Sequence, residues 1–133
     1  MNILAIDHGT KNIGLAWADT ALNLVLPFGI IDAKNWQSEL VKLVETEKID
    51  KVVVGLPLGL KGEENVNTKK IRQFGNELKK YIGLPIEFVD ERFSSYAADR
   101  FEGGVSRDEK SAMIILQSYL DSIKQKNNKT KKQ

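Results

Sequence analysis

The sequence predicts an α/β fold: a five-stranded mixed sheet, with strands one to three as an antiparallel meander, strands one, four and five parallel, and helices on both faces. Two apolar runs, residues 3–6 (Ile-Leu-Ala-Ile) and 52–54 (three valines), read as strands buried on both faces. Apolar stripes of helical period alternate with the later strands but not with the early ones. A chain of 133 residues, 41% hydrophobic and 29% charged, is sized and composed as one globular domain.

In chain order, the first strand covers residues 3–6 and ends at Asp7, and Gly9 offers freedom of φ in the turn that follows. Asn12 to Ala18 and Leu24 to Ile31 follow closely enough to complete the meander. Trp36, Leu40, Leu43, Val44 and Glu47 trace a helix with a cap expected at Asn35. After the valine strand, Ile71, Phe74, Leu78 and Tyr81 or Ile82 trace a second helix, stopped by Gly83 and Pro85. A fifth strand is expected over Pro85 to Asp90, then a short helix over Ser94 to Phe101 ended by Gly103 and Gly104. Ser106 and Glu109 have capping-box spacing at the start of a last helix, whose Ala112, Ile115, Leu116, Tyr119, Leu120 and Ile123 share one face. Helical crossovers between strands one, four and five make them parallel.

The net charge of +2 divides unevenly along the chain. Residues 124–133 hold five lysines and no acid, leaving 15 basic and 18 acidic side chains in residues 1–123, a net of −3. The expected organisation is therefore one domain over 1–123 and a basic, disordered tail over 124–133. Cysteine is absent and His8 is the single histidine, which removes disulfide scaffolds, thiolate zinc sites, cysteine nucleophiles and multi-histidine metal centres. No apolar run approaches the ~18 residues of a membrane span and no signal peptide is evident, so a cytoplasmic protein without membrane attachment is expected.

Three acids stand where chemistry is expected. Asp7 directly follows the first apolar strand, at the carboxyl edge where open α/β sheets bind ligands. Asp90-Glu91-Arg92 ends the fifth strand at the same edge, and alternation sends Asp90 and Glu91 to opposite faces. With the valine strand between them, the two strand ends lie about 10 Å apart. Asp108, in the first turn of the last helix, also suits the dipole of any helix. Its spacing to Ala112 and Ile115, however, puts it on the face turned to the sheet. Converging carboxylates repel and raise one another's pKa, and divalent cations resolve the conflict. Hard oxygen ligands of this kind describe Mg²⁺ chemistry, with two ions about 3.5 to 4 Å apart suited to phosphodiester cleavage. His8 could orient a water or touch phosphate, but an incidental loop histidine is the commoner case.

Four segments in this order resemble one family: ILAIDHGTKNIGLAWAD, VVVGLPLGLKGEE, FVDERFSS and RDEKSAMIILQSYLD. The chain is similar from Asn2 to about Asp121 to the YqgF/RuvX family, pre-16S rRNA nucleases also described as Holliday-junction-resolvase-like, with an RNase H-like fold. That resemblance implies that Asp7, Glu91 and Asp108 form a catalytic, metal-binding triad for Mg²⁺ or Mn²⁺, with two ions expected. It also implies a hydrolase that cleaves structured nucleic acid, foremost the 5′ end of pre-16S rRNA in ribosome biogenesis. The alternatives are a resolvase acting on four-way DNA, and a non-catalytic nucleic-acid-binding module in transcription or ribosome assembly. A monomer or a homodimer is compatible with these readings.

The chain departs from the family pattern in three places. Lys11-Asn12 replaces the usual Lys-Arg, His8 replaces a hydrophobic residue or proline, and Glu109-Lys110-Ser111-Ala112 follows Asp108 where Ala-x-Ala-Ala is commoner. Lys11, Lys61, Lys69, Lys70, Arg72 and Arg92 are candidate phosphate contacts, since such contacts need charge and position only. Leu58 to Asn67 is a polar loop able to move over substrate, and Phe93 and Tyr96 could stack on a base but more often such residues are core. The Asp-x-Gly-Thr loop also resembles the phosphate loop of actin-like and sugar-kinase ATPases, which need a second lobe that this chain has no room for.

Overall fold

A computed structural model describes residues 1–91 and 104–131, with backbone alone for residues 125–131. Its five strands are β1 (Asn2–His8), β2 (Asn12–Asp19), β3 (Leu24–Asp32), β4 (Lys51–Leu56) and β5 (Ile86–Asp90). Three α-helices, α1 (Trp36–Thr46), α2 (Val66–Ile82) and α3 (Arg107–Lys131), complete the described elements, with a 3₁₀ turn over Ala33–Asn35 before α1. The sheet order is β3-β2-β1-β4-β5. β1, β2 and β3 pair antiparallel, while β1, β4 and β5 run parallel, as the hydrophobic pattern predicts.

Strand alternation divides the core into two layers. Leu4, Ile6, Val52 and Val54 point to one face and pack with Leu40 and Val44 of α1 and Ile71, Phe74 and Leu78 of α2. Ile3, Ala5, Ala16, Ala18 and Val53 point to the other, against Ala112, Ile115, Leu116, Tyr119 and Leu120 of α3. Small residues dominate the strand side of the second layer, so α3 lies close to the sheet.

Three local expectations change. β1 runs past Asp7 to His8, because Asp7 and His8 still pair with Gly14 and Ile13 before the hairpin turns. Gly9 does not use a positive φ. Its N–H closes the turn on the Asn12 carbonyl at 2.9 Å, and an added Cβ would meet that same oxygen at 2.6 Å, so the position needs the absence of a side chain. Asn35 makes no capping bond; the chain enters α1 through the 3₁₀ turn, and Asp32 caps that turn by accepting from the Lys34 N–H at 2.8 Å.

The other helix ends follow their sequence signals. Asn65 and Thr68 form a reciprocal capping box at the start of α2, and Gly83, at φ +67°, receives its end. Ser106 and Glu109 form the expected box before α3, with the Glu109 N–H donating to Ser106 Oγ at 3.1 Å and Ser106 Oγ donating to Glu109 Oε1 at 2.9 Å. α3 continues to Lys131, past the composition change at residue 124. The helix expected over 94–101, Arg92, Phe93 and Tyr96 lie outside the described residues. Among the described residues no helix is long and apolar enough to cross a membrane.

Candidate active site

Asp7 follows Ile3 and Ala5 on the face of β1 covered by α3. Beside it on β2 stands Gly14, where an added Cβ would fall inside van der Waals contact of the Asp108 carbonyl and 2.9 Å from Asp108 Cβ. The missing side chain thus lets the first turn of α3 settle onto the sheet next to Asp7. Gly55 plays the matching part on β4: a Cβ there would strike Ile115 and lie 2.5 Å from Glu91 Oε2. Glu91 extends β5 by donating its N–H to the Leu56 carbonyl at 3.2 Å, and its side chain crosses the end of β4 over that glycine.

The result is an acidic cluster centred on Asp7. Its carboxylate interacts with Glu91 and Ser111 and feels the charge of Asp108. Burial, followed by the Asp108 charge, raises the pKa of Asp7. Burial, the charge of Asp7 and the interaction with it push Glu91 up to about 7. Among the described residues no lysine or arginine forms an ion pair with any of the three acids. Nor do any three described acids or histidines stand close enough to close around one ion as they are.

His8, one residue on, faces the other side of the sheet. Its ring packs on Phe74 at 4.5 Å between centroids, and burial lowers its pKa, so the imidazole is neutral at pH 7. It lines a cleft of about 420 Å³ together with Thr10, Pro57, Asn67, Lys70 and Glu91. Glu91 sits past the end of its strand, which lets it both bond Asp7 on one face and wall this cleft on the other.

The candidate phosphate contacts separate by position. Lys70 lines the cleft, whereas Arg72 is committed to Glu64 and to the ring of Phe88, 5.5 Å away. Lys11 is exposed in the β1–β2 turn, Lys69 is exposed on α2, and Lys61 is exposed beside Glu63, which accepts its N–H at 2.9 Å.

Two site residues escape sequence reasoning. Ser111 stands beside Asp7 and works to lower its pKa, and its i+3 spacing from Asp108 is the available signal. Glu109 accepts the Gly29 N–H at 2.8 Å besides capping α3, and so ties the start of that helix to edge strand β3. No sequence signal announces that contact, since it depends on a register shift between β2 and β3 near Gly14.

Comparison with solved structures shows the fold. Thermus thermophilus RuvC in complex with Holliday junction substrate superposes with a TM-score of 0.65 at 10% identity, covering 92% of this chain and 95% of that one. The fowlpox virus Holliday junction resolvase gives 0.60 at 19% identity, covering 92% and 99%. The architecture is RNase H-like.

The chain belongs to the RuvX family, whose profile, described as Holliday junction resolvase, matches residues 1–122. A relative from Dictyoglomus turgidum described as "putative pre-16S rRNA nuclease" is 39% identical, over 92% of this chain and 96% of the relative. Another of that description, from Phocaeicola vulgatus, is 37% identical over 92% and 96%.

Proposed function

We propose that this chain is a divalent-metal-dependent endonuclease acting on structured RNA, specifically in forming the 5′ end of 16S rRNA from its precursor. In this reading Asp7, Glu91 and Asp108 are its catalytic carboxylates and hold the metal. The observation that carries the proposal is the acidic cluster: half-buried carboxylates gathered around Asp7, two of them with raised pKa values, and no ion pair to a basic side chain among the described residues. A cluster kept for stability would carry its own counter-charge.

The donor set fits a hard cation such as Mg²⁺ or Mn²⁺, which takes carboxylate oxygens and accommodates one or two ions with water and substrate phosphate. When bound, such ions neutralise the phosphate and lower the pKa of water. Asp7 would be the central ligand, with Glu91 joining it from β5 and Asp108 from α3. To do so Glu91 must be ionised, a form that its pKa of about 7 makes available at neutral pH. Ser111 then holds one Asp7 oxygen in place. Lys70, at the mouth of the cleft, is placed for a neighbouring backbone phosphate. The acids argue against a non-catalytic binding module, since without a cation they repel the backbone such a module would hold.

A second reading, resolution of four-way DNA, is favoured by the description of the matching family. The test is cleavage of precursor rRNA and of a four-way junction, by wild type and Asp7→Asn, with and without Mg²⁺ or Mn²⁺. Site-specific, metal-dependent cutting of the RNA is expected, lowered on the order of 10⁴-fold or more in Asp7→Asn, the scale on which losing one member of a catalytic unit acts. Preferential cutting of the junction would select the second reading, and undiminished cutting by Asp7→Asn would remove the acids from the mechanism.

A further inference from the structure

We propose that the cleft between the β1–β2 turn and the start of α2 seats one unpaired nucleotide of the substrate strand, immediately beside the phosphodiester at the acidic cluster. The inference rests on the nuclease reading and adds which part of the substrate the enzyme grips. Position is the first argument. Glu91 is a wall of the cleft and also bonds Asp7, so whatever fills the cleft adjoins the acids. Size is the second. About 420 Å³ lies near the lower end of the ~300–1,000 Å³ typical of small-ligand sites, room for one nucleotide and not for a duplex.

Wall chemistry is the third argument. Thr10 and Asn67 offer donors and acceptors suited to a base edge or a sugar hydroxyl. His8 offers a ring, Pro57 an apolar surface, and Lys70 a cation for the phosphate that links the nucleotide to its neighbour. None of this explains capture of a simple anion, because Glu91 shares the walls.

The cleft is also held in shape before anything enters. Fully buried Thr68 donates its hydroxyl to the Pro57 carbonyl while closing the capping box with Asn65, which pins the start of α2 to the end of β4. Behind His8 stands Phe74, and behind Phe74 stands Trp36, with 4.9 Å between the centroids of those two rings. A preformed site spares ordering cost on binding. A paired base could reach it only by being unstacked and extruded, so the cleft selects substrates unpaired on one side of the cut.

The experiment uses full-length Asp7→Asn protein with Mg²⁺ and a short single-stranded RNA spanning the cleavage site, with binding read by fluorescence anisotropy. Each nucleotide is replaced in turn by an abasic residue. At one position, next to the scissile phosphate, removal of the base is expected to weaken binding about tenfold, the scale of one base contact. Adding Asn67→Ala and Thr10→Val, both at exposed positions that leave the core intact, should weaken the unmodified RNA similarly and abolish the effect of that abasic residue. Uniform loss at all positions, no loss, or a positional effect that survives the added substitutions would overturn the proposal. So would displacement of the RNA by a nucleoside monophosphate of equal affinity, which would assign the cleft to a free nucleotide. If wild type cuts the RNA while the abasic series is flat, only this inference falls. If wild type cuts nothing, the nuclease reading falls and takes this inference with it.

Discussion

Two charged clusters lie on the α3 face of one sheet, at opposite ends, and among the described residues only one brings its own counter-charge. Lys51 pairs with Ile3 in the parallel register, four residues or about 13 Å along β1 from Asp7. Its Nζ contacts Glu87 Oε2 at 2.9 Å, donates to the Tyr119 hydroxyl and sits 4.9 Å from that ring's centre. Burial works against the Lys51 charge, but Tyr119 and Glu87 outweigh it and hold its pKa above the usual value. At the Asp7 end, burial and like charge act in the same direction and both acids rise. The Lys51 charge brings its partner with it, whereas the Asp7 charges, in the function proposed above, are left for a cation to complete.

The largest effect that would sharpen this contrast comes from Gly14→Ala. A methyl group there has to displace the backbone of Asp108 rather than a flexible side-chain tip. It should cost about 3 kcal/mol in denaturant unfolding and, by pushing Asp108 off the sheet, also lower cleavage. An unperturbed variant would mean that α3 does not rest on β2 at this point.

Glu91→Gln should act in the opposite direction on the metal-free protein. In the folded state Glu91 titrates near 7, against an ordinary value of 4.5, so the native state keeps a proton that the unfolded chain releases. Its contribution is therefore present below pH 4.5 and is lost as pH rises through about 7. Removing that titration should stabilise the metal-free protein by on the order of 2 kcal/mol at pH 8 and leave it nearly unchanged at pH 4. Thermal unfolding across that range in EDTA measures the difference.

Smallest is Lys51→Met, which breaks the self-neutralised cluster. A partly exposed pair of this kind is worth about 1 kcal/mol or less, and cleavage should keep its wild-type rate. A large loss of activity without loss of stability would break the comparison by giving both ends a part in the chemistry.

Much of this arrangement was legible in the sequence because it follows from periodicity. Apolar runs place Asp7 and Glu91 at ends of parallel strands, and helical spacing turns Asp108 toward the sheet. What the periods cannot carry is close approach between elements distant in sequence. Gly14 and Gly55 read only as small residues inside strands, though they admit Asp108 and Glu91 to the cluster. The Glu109 to Gly29 contact depends on a register shift, and Asn35 lost its expected cap to a 3₁₀ turn that propensity does not announce. The cleft was invisible for a similar reason: its walls come from the first hairpin, the end of β4, the start of α2 and the residue after β5.

The central claim is that the acids around Asp7 are completed by a divalent cation. Its most direct test is the melting temperature of wild type and Asp7→Asn, with Mn²⁺ or EDTA, from pH 5 to pH 8. Binding to the folded state alone must stabilise it. The account predicts a metal-induced rise in wild type that grows as pH passes about 7 and Glu91 gives up its proton, with little or no rise in Asp7→Asn. Equal rises in both proteins, or none in wild type at pH 8, would contradict it.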